Sequence, residues 1–148
     1  MTLTDLIAPN AVVPALKVNT KKQAIQELAA RAAELTGQNE HAILEILLQR
    51  EKLGSTGVGN GVALPHARLP SLKAPFALLA RLRHPIDFDA IDGEPVDIVV
   101  LLLIPEAGDG AKGNALACVA RALRDAEALR QIRAAPDREA LFRAVAQT

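Results

Sequence analysis

Apolar residues recur three and four positions apart at Ala24, Ile25, Leu28, Ala29, Ala32 and Leu35, the spacing that lines one face of a helix. Thr20 and Gln23 stand just before them at a capping-box spacing, in which the hydroxyl and the amide serve each other's backbone N–H groups. Gly37 stops this helix. Asn39 is placed to cap a second one through about Leu53, with Ile43, Ile46 and Leu47 as its inner stripe. Ahead of both, Val12 to Val18 predicts a short strand. The pattern then changes: Val62 to His66, Phe76 to Leu82 and Asp97 to Ile104 read as strands, and the last is apolar on both faces, which predicts a central position in a sheet. From Lys112 to the end the periodicity is helical, with Pro136-Asp137 setting off a last helix that carries Leu141, Phe142 and Val145 inward. Both faces of the central strand need covering, so the expected fold is an α/β sandwich with a central mixed β-sheet flanked by helices. No linker or internal repeat divides residues 1–148, which read as one domain.

Composition narrows the function. Aromatic residues make up only 2% of the chain, so the core must come from Leu, Ala, Val and Ile, with Phe76, Phe88 and Phe142 as its large rings. Such a chain has no stacking platform for single-stranded nucleic acid. Seventeen basic and seventeen acidic residues cancel, which leaves no global field toward DNA or an anionic membrane, so any anion site must be local. Cys118 is the single cysteine; it excludes an internal disulfide and suits a reducing compartment. The start of the chain lacks a signal-peptide pattern, and the longest apolar run, Ile98 to Ile104, is too short to span a bilayer. A cytoplasmic protein with no membrane insertion is expected.

Two motifs are set aside on physical grounds. Gly108-Asp-Gly110-Ala-Lys-Gly113 satisfies G-x-G-x-x-G after a strand, but only helical patterns follow, so the second strand of a dinucleotide-binding unit is missing. The acidic group Asp87, Asp89, Asp92, Glu94 and Asp97 lies in strong turn chemistry, where solvated carboxylates are ordinary. His41 and His84 read as surface or turn histidines.

His66 stands apart. Glycines at 54, 57, 59 and 61 precede it and let the backbone turn sharply while exposing successive N–H donors, a loop that suits a phosphate. Strand alternation puts Val62, Leu64 and His66 on one side, which holds the ring against apolar neighbours after the restricting Pro65. A histidine beside a glycine loop is as readily structural as functional. Arg50 adds weight, because it continues the inner stripe of the second helix just before the loop, a costly place for a charge unless something pairs it. A bare interaction with the helix's C-terminal carbonyls is one account of it; a bound anion shared with His66 explains both residues together.

The segment REKLGSTGVGNGVALPHAR, Arg50 to Arg68, resembles the active-site segment of EIIA domains of the bacterial phosphoenolpyruvate-dependent phosphotransferase system, in its fructose, mannitol and nitrogen branch. Similarity continues through FDAIDGEPVDIVVLLLIP and the helical tail, and the opening LTDLIAPNAVV is most similar to the free-standing nitrogen-regulatory members. The resemblance implies that His66 accepts a phosphoryl group from a phosphohistidine on a small HPr-like carrier, NPr in the nitrogen branch. It implies that Arg50 bridges phosphoryl oxygens, with N–H groups of the glycine loop at Gly57 and Gly59 and the Thr56 hydroxyl meeting the others. It calls for no metal or other cofactor. Targets regulated by the phosphorylation state, such as potassium-transport regulators or sensor kinases, are the implied partners. A place in a sugar uptake chain, or a non-catalytic interaction module, are the alternatives. One departure stands out: the family's second active-site histidine aligns with Lys112, with Asn114 the nearest alternative. Lysine there can hold a phosphoryl dianion as a point charge.

Overall fold

The computed structural model describes residues 1–107 and 114–148. After two short 3-10 turns the chain forms β1 (Val12–Leu16), α1 (Lys21–Thr36) and α2 (Glu40–Lys52). The middle supplies β2 (Gly57–Gly59), β3 (Val62–Ala63), β4 (His66–Leu69), β5 (Phe76–Ile86) and β6 (Val96–Pro105). Three helices follow, α3 (Ala115–Ala122), α4 (Ala126–Ala134) and α5 (Arg138–Ala146). Among the described residues no helix is long and apolar enough to cross a membrane.

The helix boundaries follow the cap chemistry. Gly37 adopts φ 74°, the left-handed conformation that glycine takes without penalty, and its N–H closes α1 on the Ala33 carbonyl at 2.9 Å. Asn39 accepts from the Ala42 N–H at 2.9 Å. Thr20 accepts from Gln23 N at 3.1 Å as expected, but the Gln23 side chain serves the Asn19 N–H at 2.9 Å rather than that of Thr20. The inner face of α1 runs through Ala32 and excludes Leu35, which is 37% exposed. It lines a surface pocket with Val12, Pro14 and Arg138, beside the edge strand β1.

The sheet is mixed, in the order β1-β5-β6-β3-β2, with β4 also on β6. Only the β5–β6 and β2–β3 pairs are antiparallel. β6 is central as predicted, buried along its whole length except for Asp97. The strand expected from Val62 to His66 is instead interrupted. Val62 and Ala63 pair with Ile98 and Val99, the ladder breaks at Leu64-Pro65, and pairing resumes as β4 from His66 opposite Leu102. Proline lacks the N–H that a ladder needs, and only its carbonyl stays engaged, accepting from Leu102 N at 2.9 Å. His66 therefore begins a strand rather than ending one. Of the three phenylalanines, Phe88 alone is fully buried; Phe76 and Phe142 are half-buried against the core.

Two arginines anchor the C-terminal helices to the sheet. Arg81 on β5 donates to the carbonyls of Ile132 at 2.9 Å and Ala135 at 2.6 Å, supplying partners at the C-terminal end of α4. Arg133 grips Asp97 through two bonds of 2.9 Å and reaches the Asn60 carbonyl at 2.6 Å. Asn60 and Gly61 both have positive φ, the geometry of a tight two-residue hairpin between β2 and β3.

Candidate functional site

Helix α2 packs against β4, which brings Arg50 and His66 to one cavity. His66 is half-buried, and its Nδ1 lies 2.7 Å from the Leu64 carbonyl oxygen. A carbonyl can only accept, so Nδ1 carries the proton; in the neutral ring Nε2 then holds the free lone pair. The break at Pro65 makes this bond possible, because the Leu64 carbonyl lies outside the ladder and turns to the ring two residues on.

The cavity, about 820 Å³ and open to solvent, is walled by Ile46, Gln49, Arg50 and Leu53 of α2 and its end, by His66, Ala67 and Arg68 of β4, by Ile104, and by Asn114 and Leu116 at the start of α3. Its described lining holds two guanidiniums and no carboxylate. In a chain of zero net charge this is a local positive field. The Arg50 Nη1 donates to the Gly54 carbonyl at 2.9 Å, just past the helix end. That contact matches the carbonyl-capping account of this residue and occupies only part of a five-donor fork. Arg68 makes one long contact, 3.5 Å to the Glu106 carbonyl, and neither arginine forms an ion pair among the described residues. Leu53, 85% exposed, gives the rim an apolar edge.

Three other predicted site residues lie elsewhere. Thr56, Gly57 and Gly59 do not line the cavity. Thr56 is buried, and its hydroxyl donates to the Glu51 carboxylate, which also accepts its backbone N–H at 3.1 Å. The Gly57 N–H donates to Ser55 Oγ at 3.0 Å, so it is not a free anion donor. A Cβ on Gly57 would meet Ala90 at 2.8 Å, and Gly59 faces Asp92, so these glycines serve close packing of the 87–92 loop. On this face of the glycine segment the neighbouring space is taken by the 87–92 loop. Lys112 lies outside the described residues; Asn114 caps α3 by accepting from Ala117 N at 3.1 Å and borders the cavity.

The acidic group behaves as turn chemistry. Asp92 accepts from Glu94 N and from Asn60 N, both at 3.1 Å, and these bonds hold its carboxyl below the ordinary range. Asp97 is taken by Arg133. Among the described residues no three His, Cys, Asp or Glu side chains are grouped to hold a metal ion. His41 lies 3.7 Å from Glu45 on the surface and His84 is exposed on β5. Sequence reasoning missed Arg68, although its place two residues after His66 on a strand puts both on one face. It also missed Glu51, whose side chain is only 6% exposed and which no local pattern marks.

An imidazole with an open ring nitrogen, two guanidiniums without an ion pair among the described residues and an apolar rim meet where a mixed sheet joins the end of a helix, an arrangement whose chemistry suits a compact anion. Residues 5–148 match the family model described as the phosphoenolpyruvate-dependent sugar phosphotransferase system, EIIA 2. The chain is 58% identical over 146 residues to a nitrogen regulatory protein of Bradyrhizobium diazoefficiens, covering 99% of this chain and 95% of that one. It is 38% identical over 144 residues to the nitrogen regulatory protein of Pseudomonas aeruginosa, covering 97% and 94%. The crystal structure of nitrogen regulatory protein IIA-Ntr from Neisseria meningitidis superposes with a TM-score of 0.85 at 28% identity, covering 97% of this chain and 98% of that one. The chain belongs to the EIIA type 2 family of the phosphotransferase system, a family of phosphoryl carriers, and its relatives align it with the regulatory branch.

Proposed function

We propose that His66 accepts a phosphoryl group from the phosphohistidine of an HPr-like carrier, NPr in the nitrogen branch, and that its phosphorylation state selects the regulatory targets the protein binds. The observation that carries this reading is the bond from His66 Nδ1 to the Leu64 carbonyl, beside a cavity lined by Arg50 and Arg68. The Nε2 lone pair forms the new N–P bond as the carrier's N–P bond breaks, and the electron pair of the broken bond stays on the carrier's imidazole. The Nδ1 proton remains in its hydrogen bond throughout. Arg50 and Arg68 neutralise the transferring oxygens; charge-assisted bonds of this kind contribute about 1.5–3 kcal/mol each. Once phosphorylated, the apolar rim carries a charge of about −1.5 to −2, which repels acidic partners and raises the cost of covering that rim.

The test is incubation with phosphoenolpyruvate, an enzyme I homologue and the carrier, followed by intact mass measurement. Wild type gains one phosphate and His66→Ala gains none. A wild type that stays unmodified while the carrier is charged removes the carrier role and leaves an interaction module.

A further inference from the structure

Thr56 does not reach the cavity, yet it belongs to a continuous run of hydrogen bonds that ends on His66. The Glu51 carboxylate, only 6% exposed, takes the Lys21 ammonium at 2.8 Å, the Thr56 backbone N–H at 3.1 Å and the Thr56 hydroxyl. The Thr56 carbonyl accepts from Leu64 N at 2.9 Å, and the Leu64 carbonyl accepts from His66 Nδ1 at 2.7 Å. The Leu64–Thr56 bond extends the β2–β3 pairing by one step beyond Gly57 and Ala63, just before Pro65. The Glu51 carboxylate fixes the Thr56 end of this pair, while the Thr56 carbonyl fixes the peptide before Leu64 and the rigid Pro65 restricts the peptide after it, whose carbonyl faces His66.

The other end of the run is equally tied down. Lys21 Nζ sits 5.0 Å from the centre of the buried Phe88 ring and 3.7 Å from Asp89, so the carboxylate is pinned between the start of α1 and the 87–90 loop. A nearly buried carboxylate is an expensive way to pin a loop that apolar packing could hold, which argues for a role in orienting polar groups.

We propose that Glu51 is a positioning residue for the chemistry at His66: through Thr56 it aims the Leu64 carbonyl at Nδ1 and so keeps the neutral imidazole in the tautomer whose Nε2 is free to attack. In water the neutral ring favours the proton on Nε2, which blocks that lone pair, so a carbonyl that wanders hands the ring back to the unreactive form. The consequence for transfer rests on the function proposed above; the tautomer itself does not.

The experiment reads both. Nitrogen-15 NMR of histidine-labelled protein, at a pH where the rings are neutral and with His66→Gln to assign the signal, reports which nitrogen of His66 carries the proton. Glu51→Ala moves the population toward Nε2–H and slows His66 phosphorylation by the charged carrier about threefold or more, in proportion to the lost tautomer. Thr56→Val, which keeps the side-chain shape and the backbone N–H, does the same and carries the test if Glu51→Ala does not fold. Thr56→Ser, which keeps the hydroxyl, restores both readouts, as no effect of lost packing does. A wild-type tautomer in folded Thr56→Val overturns the proposal, and so does a shifted tautomer with an unchanged rate. Should wild type accept no phosphate, the proposed function falls, while the NMR of the same samples still decides whether Glu51 and Thr56 orient the ring.

Discussion

The Nδ1 atom of His66 and the carbonyl oxygen of Leu64 lie 2.7 Å apart, joining the residues on either side of Pro65. Because the carbonyl cannot donate, the proton sits on Nδ1, and in the neutral ring the opposite nitrogen holds the free lone pair. The phosphoryl group is therefore expected on Nε2. Phosphorus–nitrogen couplings in the labelled phosphoprotein assign the linkage; a bond to Nδ1 requires the Leu64 contact to break and rejects this geometry.

Arg50 lies at the end of α2, where its contact with the Gly54 carbonyl contributes at most about 1 kcal/mol. Arg50→Ala is expected to fold with little change in melting temperature. Phosphoryl transfer to His66 slows roughly ten- to a hundredfold if the guanidinium supplies about 1.5–3 kcal/mol to the transition state. A transfer rate within twofold of wild type leaves Arg50 as a helix cap and nothing more.

Gly57 separates two readings of the glycine segment. Its missing side chain admits Ala90, whose Cα would lie 2.8 Å from an added Cβ. Gly57→Ala therefore destabilises the protein by about 1–3 kcal/mol through overpacking, seen as a lower urea midpoint. Unchanged stability with impaired phosphorylation would return Gly57 to the phosphate-binding role inferred from its sequence.

Asp92 gives a dependence on pH. Its carboxyl is held below the ordinary range, first by the Glu94 N–H and then by the Asn60 N–H, so the folded state binds its proton less readily than the unfolded chain does. The stabilisation is present above the unfolded value of about 4 and is lost as pH falls through the lower folded value. Asp92→Asn should thus lower the melting temperature at neutral pH, and the gap to wild type should close on acidification. A gap that widens below pH 4 contradicts the assignment.

The ends of α1 and α2, the central place of β6 and the pairing of Arg50 with His66 were legible in the sequence because each rests on local information. Caps act over three or four residues, apolar periodicity names the covered faces, and an arginine on an inner stripe is conspicuous wherever the chain folds. What only the tertiary structure decided was nonlocal. Pro65 breaks the expected Val62–His66 strand because that segment lies against β6, so a ladder N–H is demanded where proline has none. Leu35 lies exposed beside the edge strand β1, a place in the sheet order that periodicity does not report. The Thr56 hydroxyl meets Glu51, itself paired with the distant Lys21, and Gly57 packs against the distant Ala90. A sequence states which groups a segment carries; which of them remain free for a ligand depends on partners that arrive from the rest of the chain.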